Sequence, residues 1–116
     1  KADILKEGQY VADVKTTMDG LKDVELKNGE MLNQFAFTIS KYDYDLQAYL
    51  YTQLYEVPDF YWLVVDKTTT DIGVFKASAK TLEIGRLKLE AALGLYDAFF
   101  VENLIDLSQY HKSATI

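Results

Sequence analysis

The run FYWLVVD at 60–66 is unbroken apolar sequence of strand length, closed by an acid. Aromatic and β-branched residues fill it, so it reads as a central strand buried on both faces. TTTDIGVFKA at 68–77 follows across a tight turn near Lys67–Thr70 and reads as its hairpin partner, with Ile72, Val74 and Phe75 apolar. A sheet with this hairpin inside it is the strongest constraint the chain places on its own fold.

The first 17 residues, KADILKEGQYVADVKTT, read as two more strands. Asp3-Ile4-Leu5 and Tyr10-Val11-Ala12 each set a carboxylate beside a turn-rich linker centred on Gly8. Pairing them as a hairpin brings Asp3 and Asp13 close, with Lys15 on the same face as Asp13, because residues i and i+2 of a strand point the same way. Two convergent carboxylates form a hard oxygen site suited to Mg²⁺ or Mn²⁺. A lysine beside them holds or deprotonates a water, and the set provides the parts for phosphodiester hydrolysis. Acid-x-Lys triplets also recur on ordinary solvated strand faces, so the remainder of the chain decides what this one means.

Residues 18–34 are polar, carry two glycines and show no clean period, which predicts an irregular insertion. Phe35, Phe37 and Ile39 alternate with Ala36, Thr38 and Ser40, predicting a short strand or extended segment. Over 44–55 the spacing predicts a helix, with Leu46, Leu50 and Leu54 on one face, Asp43 or Asp45 as cap and Pro58 closing the segment. Tyr44, Gln47 and Tyr51 form a polar-aromatic stripe beside that leucine face. An amide and a phenol there suit a bound water and a DNA phosphate, although tyrosines straddling the core boundary of an amphipathic helix are the commoner arrangement. A last helix is predicted from about Ala79 to Asn103, carrying Leu82, Leu89, Leu93, Tyr96 and Phe100, with Gly85 and Gly94 bending or dividing it. The order β-β-loop-α-β-β-α gives a mixed sheet with packed helices, α+β or α/β.

At 116 residues the chain has room for one domain. It contains no cysteine, which excludes disulfides, thiolate zinc sites and cysteine nucleophiles and agrees with a reducing cytoplasm. His111 is the single histidine and lies in a polar tail, which argues against a histidine metal site or a Ser-His-Asp triad. No apolar stretch approaches a membrane span. The formal charge of −6 argues against a dedicated nucleic-acid coat, but clustered carboxylates that bind cations contribute to that count. Lys22, Lys27 and Lys41 flank the insertion, and Lys76, Lys80, Arg86 and Lys88 gather near the start of the last helix. Either group has the chemistry to touch phosphates.

Ala2-Asp3, Asp13-Val14-Lys15-Thr16-Thr17 and Gln47-x-x-x-Tyr51, in that order, resemble the PD-(D/E)xK nuclease superfamily. The likeness is strongest to its phage and prophage exonucleases, the RecE or exodeoxyribonuclease VIII-like branch, and spans residues 2 to about 100. It implies a restriction-endonuclease-like mixed sheet flanked by helices, and Asp3, Asp13 and the Val14 carbonyl as ligands of Mg²⁺ or Mn²⁺. It assigns Lys15 to the attacking water, and Gln47 and Tyr51 to the nucleophile side and the scissile phosphate. It further implies an enzyme that degrades linear double-stranded DNA from 5′ ends in recombination, with a single-strand annealing protein as partner and a homo-oligomeric state. Alanine replaces the proline of the first motif. The family's helix before the first motif strand, which adds an acidic or histidine ligand, is missing here. The 116 residues are therefore expected to be the C-terminal core of a longer protein, a single nuclease-like domain with weakened metal affinity. Two other classes fit the same residues: an inactive nuclease-fold domain that binds DNA or protein, and a non-enzymatic domain presenting Tyr42, Tyr44, Tyr49, Tyr51 and Tyr55 to a partner.

Overall fold

The computed structural model describes residues 2–98. Two strands, β1 (Ile4–Lys6) and β2 (Tyr10–Thr17), are followed by a small hairpin, β3 (Asp23–Glu25) and β4 (Met31–Asn33), then two helices, α1 (Gln34–Lys41) and α2 (Tyr44–Leu54). A second strand pair, β5 (Asp59–Asp66) and β6 (Ile72–Lys76), leads into the long helix α3 (Ala79–Tyr96). The four long-range strands form one mixed sheet in the order β1-β2-β5-β6, with β2 and β5 parallel and the outer pairs antiparallel. The architecture is α+β, as the pattern of elements predicts.

β5 is central, but only one of its faces is fully buried. Phe60, Trp62, Val64 and Asp66 point inward, while Tyr61, Leu63 and Val65 between them are half-buried. Parallel register sets Val11 beside Phe60, Asp13 beside Trp62, Lys15 beside Val64 and Thr17 beside Asp66, so all eight share the inner face. Phe35 of α1 and Ala48 of α2 close the core over it, with Phe35 edge-on to Trp62 at 6.0 Å. The outer face keeps a shallow apolar groove of about 320 Å³ lined by Ile4, Tyr10, Ala12, Tyr61, Leu63 and Val74.

Four local expectations are corrected. Residues 18–34 are not irregular throughout, because β3 and β4 pair across a turn at Asn28-Gly29, where Gly29 adopts φ 84° and donates its N–H to Leu26 O. Phe35 to Ser40 is helix, not strand. Asn33 Oδ1 caps the Phe35 N–H at 3.0 Å, and the buried pair Phe35 and Thr38 follows helical spacing, leaving Phe37 outside. The leucine stripe of α2 is its outward side: Leu50 and Leu54 are exposed, and Asp45, Ala48 and Thr52 are buried. Finally, α3 runs unbroken through Gly85 and Gly94; Phe100 and the rest of that predicted helix lie outside the described residues.

Gly85 explains the inversion of α2. A Cβ there would lie 2.7 Å from the Asp45 carbonyl carbon, closer still to its oxygen, and 3.0 Å from Tyr49 Cβ. α3 therefore packs directly on the backbone of α2, and only the short side chains of α2 fit between them. Asp43 stands at the predicted cap of α2, but its side chain makes no capping bond. Lys88 Nζ instead reaches Asp43 Oδ1 and both oxygens of the buried Asp45, each at 2.9 Å, tying α3 to the start of α2. α2 ends at Leu54, before the left-handed Glu56 (φ 53°), and Pro58 only introduces β5.

Asp66 closes β5 by accepting the Thr68 N–H at 2.9 Å and the Thr68 hydroxyl at 2.5 Å. Those bonds hold its carboxyl below the usual carboxylate range. With the folded value depressed, its stabilising effect is complete above the unfolded value of about 3.9 and is lost as pH falls through the folded one. Asp66→Asn should therefore lower the urea midpoint at pH 7 and narrow its gap to the parent near pH 3. An equal gap at both pH values would contradict this. No helix among the described residues is long and apolar enough to cross a membrane.

Candidate active site

The register of the first hairpin decides the geometry. Ile4 pairs with Ala12 and Lys6 with Tyr10, so the next position outward sets Asp3 opposite Asp13. β1 stops there, and the edge of β2 beyond it is released. Asp3 occupies that edge with its side chain, Oδ2 accepting the Val14 N–H at 2.8 Å. A strand residue projects its N–H and C=O from the same edge, so the Val14 carbonyl shares the side on which Asp3 sits.

Asp13 is only 5 % exposed, and Lys15 Nζ lies 2.6 Å from its Oδ2. Burial pushes the Asp13 carboxyl up, Lys15 pulls it back, and Asp3 beside it pushes it up again. A buried acid facing a second acid and one ammonium is the kind of site that a cation relieves. Among the described residues no three or more acidic, histidine or cysteine side chains gather as a metal cluster, and those residues bring two carboxylates and one carbonyl together here. That set fits Mg²⁺ or Mn²⁺, which is bound through one or two carboxylates while water and substrate phosphate complete the shell.

α2 supplies the wall opposite. The Tyr44 ring lies 4.3 Å from Lys15 Nζ, close enough for cation–π attraction. One turn on, Gln47 Oε1 is buried and makes no hydrogen bond among the described residues, which leaves an acceptor ready. The Tyr51 ring packs against Tyr55 at 6.0 Å and Phe60 at 6.4 Å, beside the start of β2. The structure thus unites Asp3, Asp13, Val14 and Lys15, buries the Gln47 amide oxygen on the flanking helix, and packs the Tyr51 ring on Phe60. Tyr44 is the side chain that sequence reasoning left out of the site, although it heads the stripe continued by Gln47 and Tyr51.

Three of the four residues in the second basic group are engaged elsewhere: Lys76 pairs with Asp59, Arg86 with Glu83 and Glu90, and Lys88 with Asp43 and Asp45. Lys22 and Lys41 carry no ion pair among the described residues.

An acid from a hairpin end, an acid-x-Lys on the adjoining strand and a flanking helix with a buried glutamine define a PD-(D/E)xK nuclease fold. The chain belongs to the family described as PDDEXK-like domain of unknown function (DUF3799), whose model matches residues 1–103. Its fold is similar to a crystal structure from Eubacterium rectale named as a candidate exonuclease, with a TM-score of 0.54 at 18 % identity. That likeness covers 94 % of this chain and 44 % of the other, so the chain spans less than half of that structure's length. No curated protein matches it.

Proposed function

We propose that this domain is the catalytic core of a metal-dependent DNA exonuclease acting on linear double-stranded DNA. The observation that carries this is the meeting of Asp3 and Asp13 across the hairpin, with Lys15 at 2.6 Å from Asp13 on the same inner face. A divalent cation bound by the two acids and the Val14 carbonyl would polarise the phosphoryl oxygen and acidify a bound water. Asp13, buried and fixed within β2, sets the position of the scissile phosphate. Lys15 donates from Nζ to the attacking water or to the charge that develops on phosphorus-bound oxygen. Tyr44 beneath Lys15 limits the directions its ammonium can take. Gln47 Oε1 accepts a hydrogen bond from the water on the nucleophile side, and Tyr51 orients the scissile phosphate.

The choice of an exonuclease over other nucleases draws on the family motifs and on the printed description of the Eubacterium rectale protein. Attack from 5′ ends, a role in recombination, an annealing-protein partner and self-association rest on the resemblance alone, and a cytoplasmic setting on the absence of cysteine. The two-acid donor set also favours a second reading, a nuclease fold that binds DNA without cutting it. Incubation of the purified chain with linear and covalently closed circular duplexes in Mg²⁺ tests the proposal. Mononucleotide release from the linear form alone is expected. Intact DNA of both forms, with binding retained, would favour the non-cutting module, and nicking of the circle would mark an endonuclease.

A further inference from the structure

The turn between α1 and α2 is built in a strained way. Asp43 is left-handed, φ 56° and ψ 35°, without being glycine, and Lys88 holds its carboxylate at 2.9 Å. Non-glycine residues adopt this conformation at a cost that surrounding structure must offset. One consequence is the placement of two tyrosines. Tyr42 stacks on Tyr44 with ring centres 5.8 Å apart and planes 28° from parallel. Tyr44 in turn lies against Lys15 at 4.3 Å. The inner ring is half-buried, but Tyr42 is 54 % exposed, and Lys41 Nζ lies over its ring, 5.3 Å from the centre. A line of cation, ring, ring and cation therefore leads from the acid pair outward to solvent.

Resting on the nuclease reading, we infer that Tyr42 is a stacking platform for an unpaired nucleobase next to the scissile phosphate, with Lys41 neutralising the adjoining phosphate. The exposed Lys41 side chain covers that face until it swings to a phosphate, and an aromatic face with a lysine at hand is the chemistry by which single strands are held without regard to sequence. A base paired within a duplex has both faces stacked already and offers none to Tyr42. The strand being degraded thus enters the site frayed from its complement, and single-stranded ends are the species this surface takes. Tyr44 fixes the plane of the platform, and the Asp43 turn clamped by Lys88 fixes Tyr44.

The test uses the full chain carrying Asp13→Asn, in EDTA, so that nothing is cut. The probe is a single-stranded oligonucleotide with 2-aminopurine at its end, whose fluorescence falls on stacking. Adding Tyr42→Ala should weaken binding about 5- to 150-fold and abolish the quenching. Tyr42→Phe should keep both, and Tyr42→Leu, which retains apolar bulk over Tyr44, should lose the quenching with an unchanged melting temperature. Lys41→Ala should retain quenching and reduce the salt slope by about 0.7. Equal affinity and quenching in parent and Tyr42→Leu, or no binding by any variant, would overturn the platform. Cleavage by the Asp13 protein in Mg²⁺ is read separately. Cutting with Tyr42-independent binding removes the platform and leaves the nuclease; Tyr42-dependent quenching without cutting removes the nuclease and leaves a single-strand binder.

Discussion

Asp13→Asn should reduce DNA cleavage by at least about 10³-fold, since the cation it helps to hold contributes several kcal/mol at about 1.4 kcal/mol per decade of rate. The substitution preserves shape and one acceptor oxygen, and Asn side chains fit a strand interior between Trp62 and the Lys15 stem. Lys15→Ala should cost about 10²- to 10³-fold, the usual effect of removing one donor from a developing anion. Stability should move the other way. Burial and the neighbouring Asp3 hold the Asp13 carboxyl above its ordinary range even against the pull of Lys15. With the folded value raised, the favourable protonated form is complete below the unfolded value, and stability is lost as pH rises through the folded one. At pH 7 in EDTA the ionised acid therefore opposes folding, and Asp13→Asn should melt at a higher temperature than the parent. A purified Asp13→Asn protein that cuts normally would end the assignment; one that melts lower in EDTA would contradict the electrostatics of the site.

The second large effect belongs to Gly85. Adding a methyl group at this position drives it into the backbone of Asp45, which no side-chain rotation can relieve, so α2 and α3 must separate. Overpacking of this kind costs about 1–3 kcal/mol or more, against a helix-propensity gain of about 1 kcal/mol. Separation also stretches the Lys88 bridge to the buried Asp45. Gly85→Ala should lower stability by about 2 kcal/mol net, a drop in melting temperature of about 10 °C. Gly94 lies on the same helix with open space where its Cβ would stand. Gly94→Ala should be neutral or stabilising by up to about 1 kcal/mol. Equal behaviour of the two variants, read from urea midpoints, would show that the α2–α3 contact is looser than the structure has it.

The legible parts of the fold were those where one physical signal dominated. FYWLVVD was legible as a strand from its length and its aromatic and β-branched content, though only one of its faces is fully buried, and the i, i+2 rule placed Asp13 and Lys15 on one face without any tertiary knowledge. Asp3 was legible because the hairpin register follows from the short turn at Gly8. Phe35, Phe37 and Ile39 misled because a period of two and a period of 3.6 overlap over five residues, and the Asn33 cap that breaks the tie was passed over. The Asn28-Gly29 pair was likewise an available hairpin signal inside a polar stretch. The leucine face of α2 failed for a different reason. Periodicity finds an apolar stripe, but which stripe is buried depends on the neighbour, and here the neighbour is a helix that approaches through a glycine. Tyr44 at Lys15 needed the packing of α2 on β2, which no spacing within α2 encodes.

The central claim is that Asp3 and Asp13 hold a divalent cation, and a calorimetric titration of the chain with Mn²⁺, beside Asp13→Asn, tests it most directly because it does not require turnover. One saturable binding event in the parent that vanishes in Asp13→Asn is the predicted result. Heats that match between the two proteins, or none in either, would contradict it.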